Sequence, residues 1–160
     1  NQDDPQVSKI FKVTSAHEMM NKCKDLLPVD IAVCAAAVAD YSVKNQSSEK
    51  IKKTSFEKVL QLSENPDILK FLSQKRNTRP RLVVGFAAET SDLEKNALKK
   101  LTEKGCDWIL ANDIGKDDII GGEKNRIRFI SKNEVEQWPI TSKDKVAKIL
   151  SSKIINYFSN

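Results

Sequence analysis

Residues 31–36 read Ile31-Ala32-Val33-Cys34-Ala35-Ala36, an unbroken apolar run of strand length. A run that does not alternate with polar residues is the pattern of a parallel strand buried on both faces. Upstream, Ser15 and Glu18 stand three residues apart as a capping box. Behind them Ala16, Met19, Met20, Cys23, Leu26 and Leu27 recur at helical spacing, and Pro28 ends the pattern. Ser8–Val13 reads as a short strand before that helix. Strand, helix and strand in this order make one unit of an α/β sheet.

The alternation continues downstream. Val59, Leu60 and Leu62 suggest a short strand, and Asn65-Pro66 supplies an N-cap and a first-turn proline for a helix through Phe71 and Leu72. Arg81–Ala87, entered from Pro80, is a second buried strand. Ser91 and Glu94 form another capping box, opening a helix that turns Leu93, Ala97 and Leu101 inward and ends near Gly105. Trp108–Ala111 is a further strand. Arg126–Ile130 and Val135–Pro139 pair as a hairpin across Lys132-Asn133, and a helix over 142–158 buries Val146, Ile149, Leu150 and Ile154. The expected fold is α/β: a Rossmann-like, mostly parallel sheet with helices on both faces and an antiparallel edge hairpin, in one domain over 1–160. Two polar stretches, 40–54 and 112–125, read as long loops, a class that is usually functional or disordered.

Composition narrows the function. The net charge is +5, from 27 Lys and Arg against 22 Asp and Glu, which suits an anionic ligand. Aromatics make up only 6% and are scattered, too few for base-stacking platforms, so a small phosphorylated compound fits better than nucleic acid. His17 is the only histidine, which argues against a zinc site or a serine–histidine triad. Cys23, Cys34 and Cys106 show no metal-ligand spacing, and an odd count without a secretory signal suggests reduced thiols in a cytoplasmic protein. The longest apolar run, Ile31–Ala39, has nine residues, about half of a membrane span. The sequence opens at Asn1 rather than at Met, and so reads as part of a longer protein.

In an open α/β sheet, ligands bind beyond the carboxyl ends of the strands. Candidates therefore follow Ala36, Ala87 and Ala111. Cys34-Ala35-Ala36-Ala37 carries almost no side-chain bulk, and Asp40 follows. Small residues there suit tight helix–sheet packing or let a ligand reach the backbone, with Asp40 accepting from a sugar or base or holding a cation through water. Glu49-Lys50-Ile51-Lys52-Lys53 is either a solvated basic face or a set of ammonium groups that closes over a triphosphate. Asn65-Pro66-Asp67-Ile68 opens a helix whose free N–H groups favour anions, although a plain cap needs no function. Phe86 is a core residue or a ligand platform. Lys100 and Lys104 share a helix face, and Asn112-Asp113 ends the last core strand. Neither a P-loop nor a G-x-G-x-x-G is present.

Taken in order, Cys34-Ala35-Ala36-Ala37-Val38-Ala39-Asp40-Tyr41, Glu49-Lys50-Ile51-Lys52-Lys53, Asn65-Pro66-Asp67-Ile68, Val84-Gly85-Phe86-Ala87-Ala88-Glu89-Thr90 and Ala111-Asn112-Asp113 resemble the signature blocks of one family. It is phosphopantothenoylcysteine synthetase in its bacterial, CTP-dependent form, commonly fused behind a flavin-dependent decarboxylase. The resemblance implies a ligase of coenzyme A synthesis that joins 4′-phosphopantothenate to cysteine through an acyl-cytidylate. It implies that Cys34, Ala35, Ala36 and Asp40 hold cytidine and that Lys50 contacts the triphosphate and is catalytic. Pro66, Asp67, Ile68, Leu69 and Phe86 would line the nucleotide pocket, and Lys100 and Lys104 would complete it. Magnesium would accompany CTP without a dedicated protein metal site, FMN would belong to the fused decarboxylase alone, and the assembly would be a homodimer. The family's glycine-rich opening segment and its N-x-S-S-G motif are not in this sequence, so the resemblance is to the nucleotide half of the synthetase. A non-catalytic nucleotide-binding module and a basic RNA-binding domain are the alternatives.

Overall fold

The computed structural model describes residues 7–45, 59–74, 77–89, 92–113 and 124–159. Its elements are, in order, α1 (Ala16–Leu26), β1 (Ile31–Cys34), β2 (Tyr41–Val43), β3 (Leu62–Glu64), α2 (Ile68–Gln74), β4 (Leu82–Glu89), α3 (Leu93–Lys104), β5 (Trp108–Asp113), β6 (Lys124–Asn125), β7 (Ile127–Ser131), β8 (Val135–Gln137), β9 (Thr141–Ser142) and α4 (Lys143–Ser159). Backbone contacts divide the chain into two units, Asn1–Leu27 with Ala37–Ile68, and Pro28–Ala36 with Leu69–Asn160.

The second unit is built on a five-stranded sheet in the order β1-β4-β5-β7-β8. The first three strands are parallel, with Cys34 beside Gly85 and Phe86 beside Leu110. The β7–β8 hairpin adds the antiparallel edge that the sequence predicts. Alternation then assigns the two faces. Leu82, Val84, Trp108, Leu110, Ile127 and Phe129 share one face and form a core with Trp138 and with Val146 and Leu150 of α4. Trp108 meets Phe129 edge-on at 5.2 Å and Phe129 stacks on Trp138 at 6.0 Å, both within the range of favourable ring pairs. Val83, Gly85, Ile109 and Ala111 face the other way, the side on which α3 buries Ala97 and Leu101. Gly85 is required for contact: a Cβ there would stand 2.6 Å from Leu69 Cδ2 and 2.9 Å from Ile109 Cδ1.

The amino ends of the strands are tied by Arg79. Both of its contacts to the Asp107 carboxylate are 2.9 Å, and its Nε donates to the Ser73 carbonyl at 2.7 Å. Asp107 Oδ2 also accepts from the Val83 amide at 2.7 Å, so one carboxylate joins the starts of β4 and β5. Gly105 closes α3 in the left-handed region, φ 72°, and its N–H reaches the Leu101 carbonyl at 2.9 Å.

In the first unit, Ser15 Oγ accepts from the Glu18 amide at 3.2 Å, as the capping box predicts. The return bond differs: the Glu18 carboxylate accepts from the Thr14 amide and hydroxyl, at 2.8 and 3.0 Å. β2 pairs antiparallel with β3, and the Asn65 amide donates to the Asp40 carbonyl at 2.8 Å.

Several expectations are corrected. The run 31–36 is strand only to Cys34, and it is an edge strand with Ile31 37% and Val33 47% exposed, not a strand buried on both faces. Residues 8–13 form no strand, because a strand exists only through a ladder partner and no described strand supplies one. The polar stretch after Asp40 contains β2, and the strand expected from Val59 begins at Leu62. Asn65 does not cap α2: its side chain donates to the Ala39 carbonyl at 2.9 Å and the helix starts at Ile68. Asp92, not Ser91, is the N-cap of α3, and Ser91 lies outside the described residues. Leu26, expected inward on α1, is 47% exposed.

Candidate functional site

At the carboxyl ends of β1 and β4, the parallel register sets Cys34 beside Gly85. One step further along, Ala35 leaves β1 level with Phe86. The small stretch Cys34-Ala35-Ala36 thus leaves the sheet beside the strand that carries Phe86, with Ala35 and Ala36 exposed and Cys34 half-buried. Phe86 is partly buried and packs against the α4-side core, so much of its ring is committed to that core. Leu69 reaches the same strand from the opposite face, lying over Gly85.

The first unit holds a separate group. Asp40 is exposed, and its carbonyl is fixed to Asn65, which places it next to Pro66 and Asp67. Ile68 is 8% exposed and belongs to the apolar interior. Lys50 lies outside the described residues. Lys100 and Lys104 are brought elsewhere: α3 runs antiparallel to β4 and β5, and its last turn sits at their amino ends, beside the Arg79–Asp107 pair. Cys34 to Ala36 leave β1 at the opposite, carboxyl end.

A second cluster has only Asp113 in common with the sequence reading, which singled out Asn112-Asp113 at the end of β5 and none of its other members. Beyond the carboxyl end of β5, a cleft of about 350 Å³ is lined by Asp92, Glu94, Lys95, Asp113, Arg126 and Arg128, among others. Arg128 Nη1 donates to Glu94 at 2.8 Å and Nη2 to Gln137 at 3.3 Å, while Arg126 Nη1 meets Asp113 at 3.4 Å. Arg126 and Arg128 stand two apart, so they share one strand face. Which face that is depends on the register with β5, which no sequence pattern prints. On the other face of β5, Asn112 Nδ2 donates to Asn125 Oδ1 at 3.3 Å, and both amides are otherwise unsatisfied at Asn112 Oδ1 and Asn125 Nδ2.

Two of the thiols are not poised for chemistry. Burial pushes Cys106 up to about 12 and raises Cys23 as well, so neither is a thiolate near neutrality. Among the described residues no group of three or more His, Cys, Asp or Glu side chains is placed to hold a metal ion. No described helix is long and apolar enough to cross a membrane.

Against this geometry, residues 1–158 match the family described as the DNA/pantothenate metabolism flavoprotein C-terminal domain. The chain belongs to that family. It is 32% identical over 151 residues to the coenzyme A biosynthesis bifunctional protein CoaBC of Borreliella burgdorferi, covering 92% of this chain and 38% of that one. It is 33% identical over 159 residues to the protein of the same name from Haemophilus influenzae, covering 99% and 40%. This family member thus spans about two fifths of the length of these relatives. Among solved structures, the C-terminal domain of a CoaBC protein superposes with a TM-score of 0.70 at 32% identity, over 92% of this chain and 64% of that one.

Proposed function

We propose that this chain forms the nucleotide half of a phosphopantothenate–cysteine ligase in coenzyme A synthesis. The observation that carries the reading is the family match over residues 1–158, with CoaBC relatives at 32% and 33% identity across nearly the whole chain. The exposed, low-bulk exit of β1 beside Phe86 supports it, since this is the end of an α/β sheet at which ligands bind.

In the reaction, a carboxylate oxygen of 4′-phosphopantothenate attacks the α-phosphorus of CTP and displaces pyrophosphate. The amine of cysteine then attacks the acyl carbon, the acyl–oxygen bond breaks, CMP leaves and the amine loses its proton. On this reading Cys34, Ala35 and Ala36, with Leu69 and Phe86, take the nucleotide at the carboxyl end of β1, and Asp40, Pro66, Asp67 and Ile68 carry the other family blocks, whereas Lys100 and Lys104, at the amino ends of β4 and β5, stand apart from it. Lys50 lies against the triphosphate, where a cation offsets the charge that develops as pyrophosphate departs. Magnesium is usually held by one or two carboxylates plus substrate phosphates. The working assembly is a cytoplasmic homodimer.

The test is pyrophosphate release from CTP with magnesium and 4′-phosphopantothenate, followed by CMP release on adding cysteine. Turnover that falls in Lys50→Gln while its melting temperature holds supports the assignment; equal turnover in the two proteins overturns it. Nucleotide binding without pyrophosphate release would instead identify a binding module. Steeply salt-dependent RNA affinity without nucleotide preference would identify an RNA-binding domain.

A further inference from the structure

The free edge of β1 is the least protected surface of the second unit. Among the described residues β1 ends the sheet order, with β4 on one side and no strand on the other. Leu82 donates its N–H to the Asp30 carbonyl at 3.1 Å. Alternation along the strand therefore commits the backbone groups of Ala32 and Cys34 to β4 and turns those of Ile31 and Val33 to the open edge. Proteins guard such an edge with charge, proline or a bulge, yet residues 31–39 carry neither a charge nor a proline. The opposite edge, β8, by contrast carries Glu136, whose carboxylate accepts from Lys153 at 2.9 Å. The side chains of β1 are also uncovered. Ile31 and Val33, level with Leu82 and Val84, lie on the α4 face and are 37% and 47% exposed, whereas parallel strands normally have both faces covered.

We infer that the edge of β1 is a docking surface for a strand–helix segment from the part of this family's domain that lies outside residues 1–160. The solved C-terminal domain of CoaBC has room for one, since the match takes in 92% of this chain but only 64% of that one. Handedness says where the helix goes. α3 joins β4 to β5 over the face of Val83, Gly85 and Ile109. Crossovers between parallel strands are right-handed, so one that steps outward beyond β1, in the opposite direction, crosses the other face. That is the α4 face, where Ile31 and Val33 are exposed. Strand order and exposure thus point to the same occupant: an apolar strand parallel to β1, followed by a helix whose apolar stripe seats on Ile31 and Val33. A second copy of this chain fits worse, because β1 would meet its own copy antiparallel across a two-fold axis and bring no helix to that face. The inference rests on family membership and not on which reaction the chain performs.

The probe is the part of the Haemophilus influenzae CoaBC C-terminal domain that this chain does not match. It is added as a separate polypeptide and, in a second sample, joined to this chain by a flexible linker, which carries the test if the separate segment does not fold. Amide hydrogen exchange reads the edge residue by residue. Docking should slow Ile31 and Val33 by about tenfold, the net effect of one backbone hydrogen bond, and change Ala32 and Cys34 little, since β4 already holds them. Val33→Lys places an ammonium on the exposed face and should abolish the slowing while the chain keeps its melting temperature. Val135→Lys, at an exposed residue of the opposite edge, should leave the slowing intact. Unchanged exchange at Ile31 and Val33 in both samples, or slowing that survives Val33→Lys, would overturn the inference. So would slow exchange there in the chain alone together with a doubled mass by light scattering, which would give the edge to a second copy.

Discussion

Replacing Gly85 by alanine tests how tightly α2 is pressed onto the sheet at the point where the candidate nucleotide residues meet. The added Cβ would fall 2.6 and 3.3 Å from the two terminal carbons of Leu69 and 2.9 Å from Ile109 Cδ1. Ile109 is fully buried and has nowhere to move, whereas Leu69 is half-buried and can turn outward. Overpacking of this kind costs about 1–3 kcal/mol, and the loss of glycine's unfolded-state freedom returns about 0.4–1 kcal/mol. A net destabilisation of about 1–2 kcal/mol follows, which at roughly 2–4 °C per kcal/mol lowers the melting temperature by about 2–8 °C. The decisive arm is a double-mutant cycle. Leu69→Ala removes two of the three clashing atoms, so Gly85→Ala should cost about 1 kcal/mol less in that background than in the parent. Urea melts at constant pH measure all four proteins. Additive effects within about 0.3 kcal/mol would refute the contact between Leu69 and Gly85.

Three other outcomes are expected. Asp107→Ala leaves the Val83 amide and the Arg79 guanidinium without their acceptor, and urea denaturation should show a loss of about 1.5–3 kcal/mol. The hydrogen bond from Lys153 holds Glu136 below its ordinary 4.5, so that contribution is present above 4.5 and lost as acid takes the pH through the lowered value. Burial opposes the Lys153 charge, but its bonds to Glu136 and Glu134 outweigh this and raise it above 10.5, so its contribution holds below 10.5 and fades as pH rises through the raised value. Lys153→Gln should therefore flatten the stability profile at both ends, by under about 1 kcal/mol because the partners are exposed. Finally, Cys106, buried and titrating at about 12, should resist a thiol reagent at pH 8 until the chain is unfolded, and early labelling of it would contradict the packing.

Much of the fold is legible in the chain because β4, β5 and α4 obey local rules. Leu82–Ala87 and Trp108–Ala111 are apolar without alternation, and both are buried between helices. Gly105 stops α3 where the helix pattern ends. What was misread depends on neighbours rather than on local pattern. Ile31 to Val33 carries the same apolar signal as β4, yet it is an edge strand here, and a run of residues cannot say how many strands flank it. Asn65 has the chemistry of an N-cap but spends its side chain on the Ala39 carbonyl, a tertiary bond that competes with capping. Asp92 takes the cap of α3 in a left-handed conformation that no spacing rule foretells. The site divides in the same way. The meeting of Cys34 with Gly85 follows from parallel pairing, which an α/β pattern implies. The cleft of Glu94, Asp113 and Arg128 comes from three separate elements, and only the register of β7 on β5 assembles it.

The central claim is that this chain carries a CTP site, and a thermal-shift comparison of CTP with ATP, each with magnesium, addresses it most directly. At a hundred times the dissociation constant a ligand stabilises by about 2.7 kcal/mol, which corresponds to a rise of roughly 5–10 °C for a chain of this size. The account predicts that rise with CTP and little change with ATP; an equal rise with both nucleotides, or none with CTP, would contradict it.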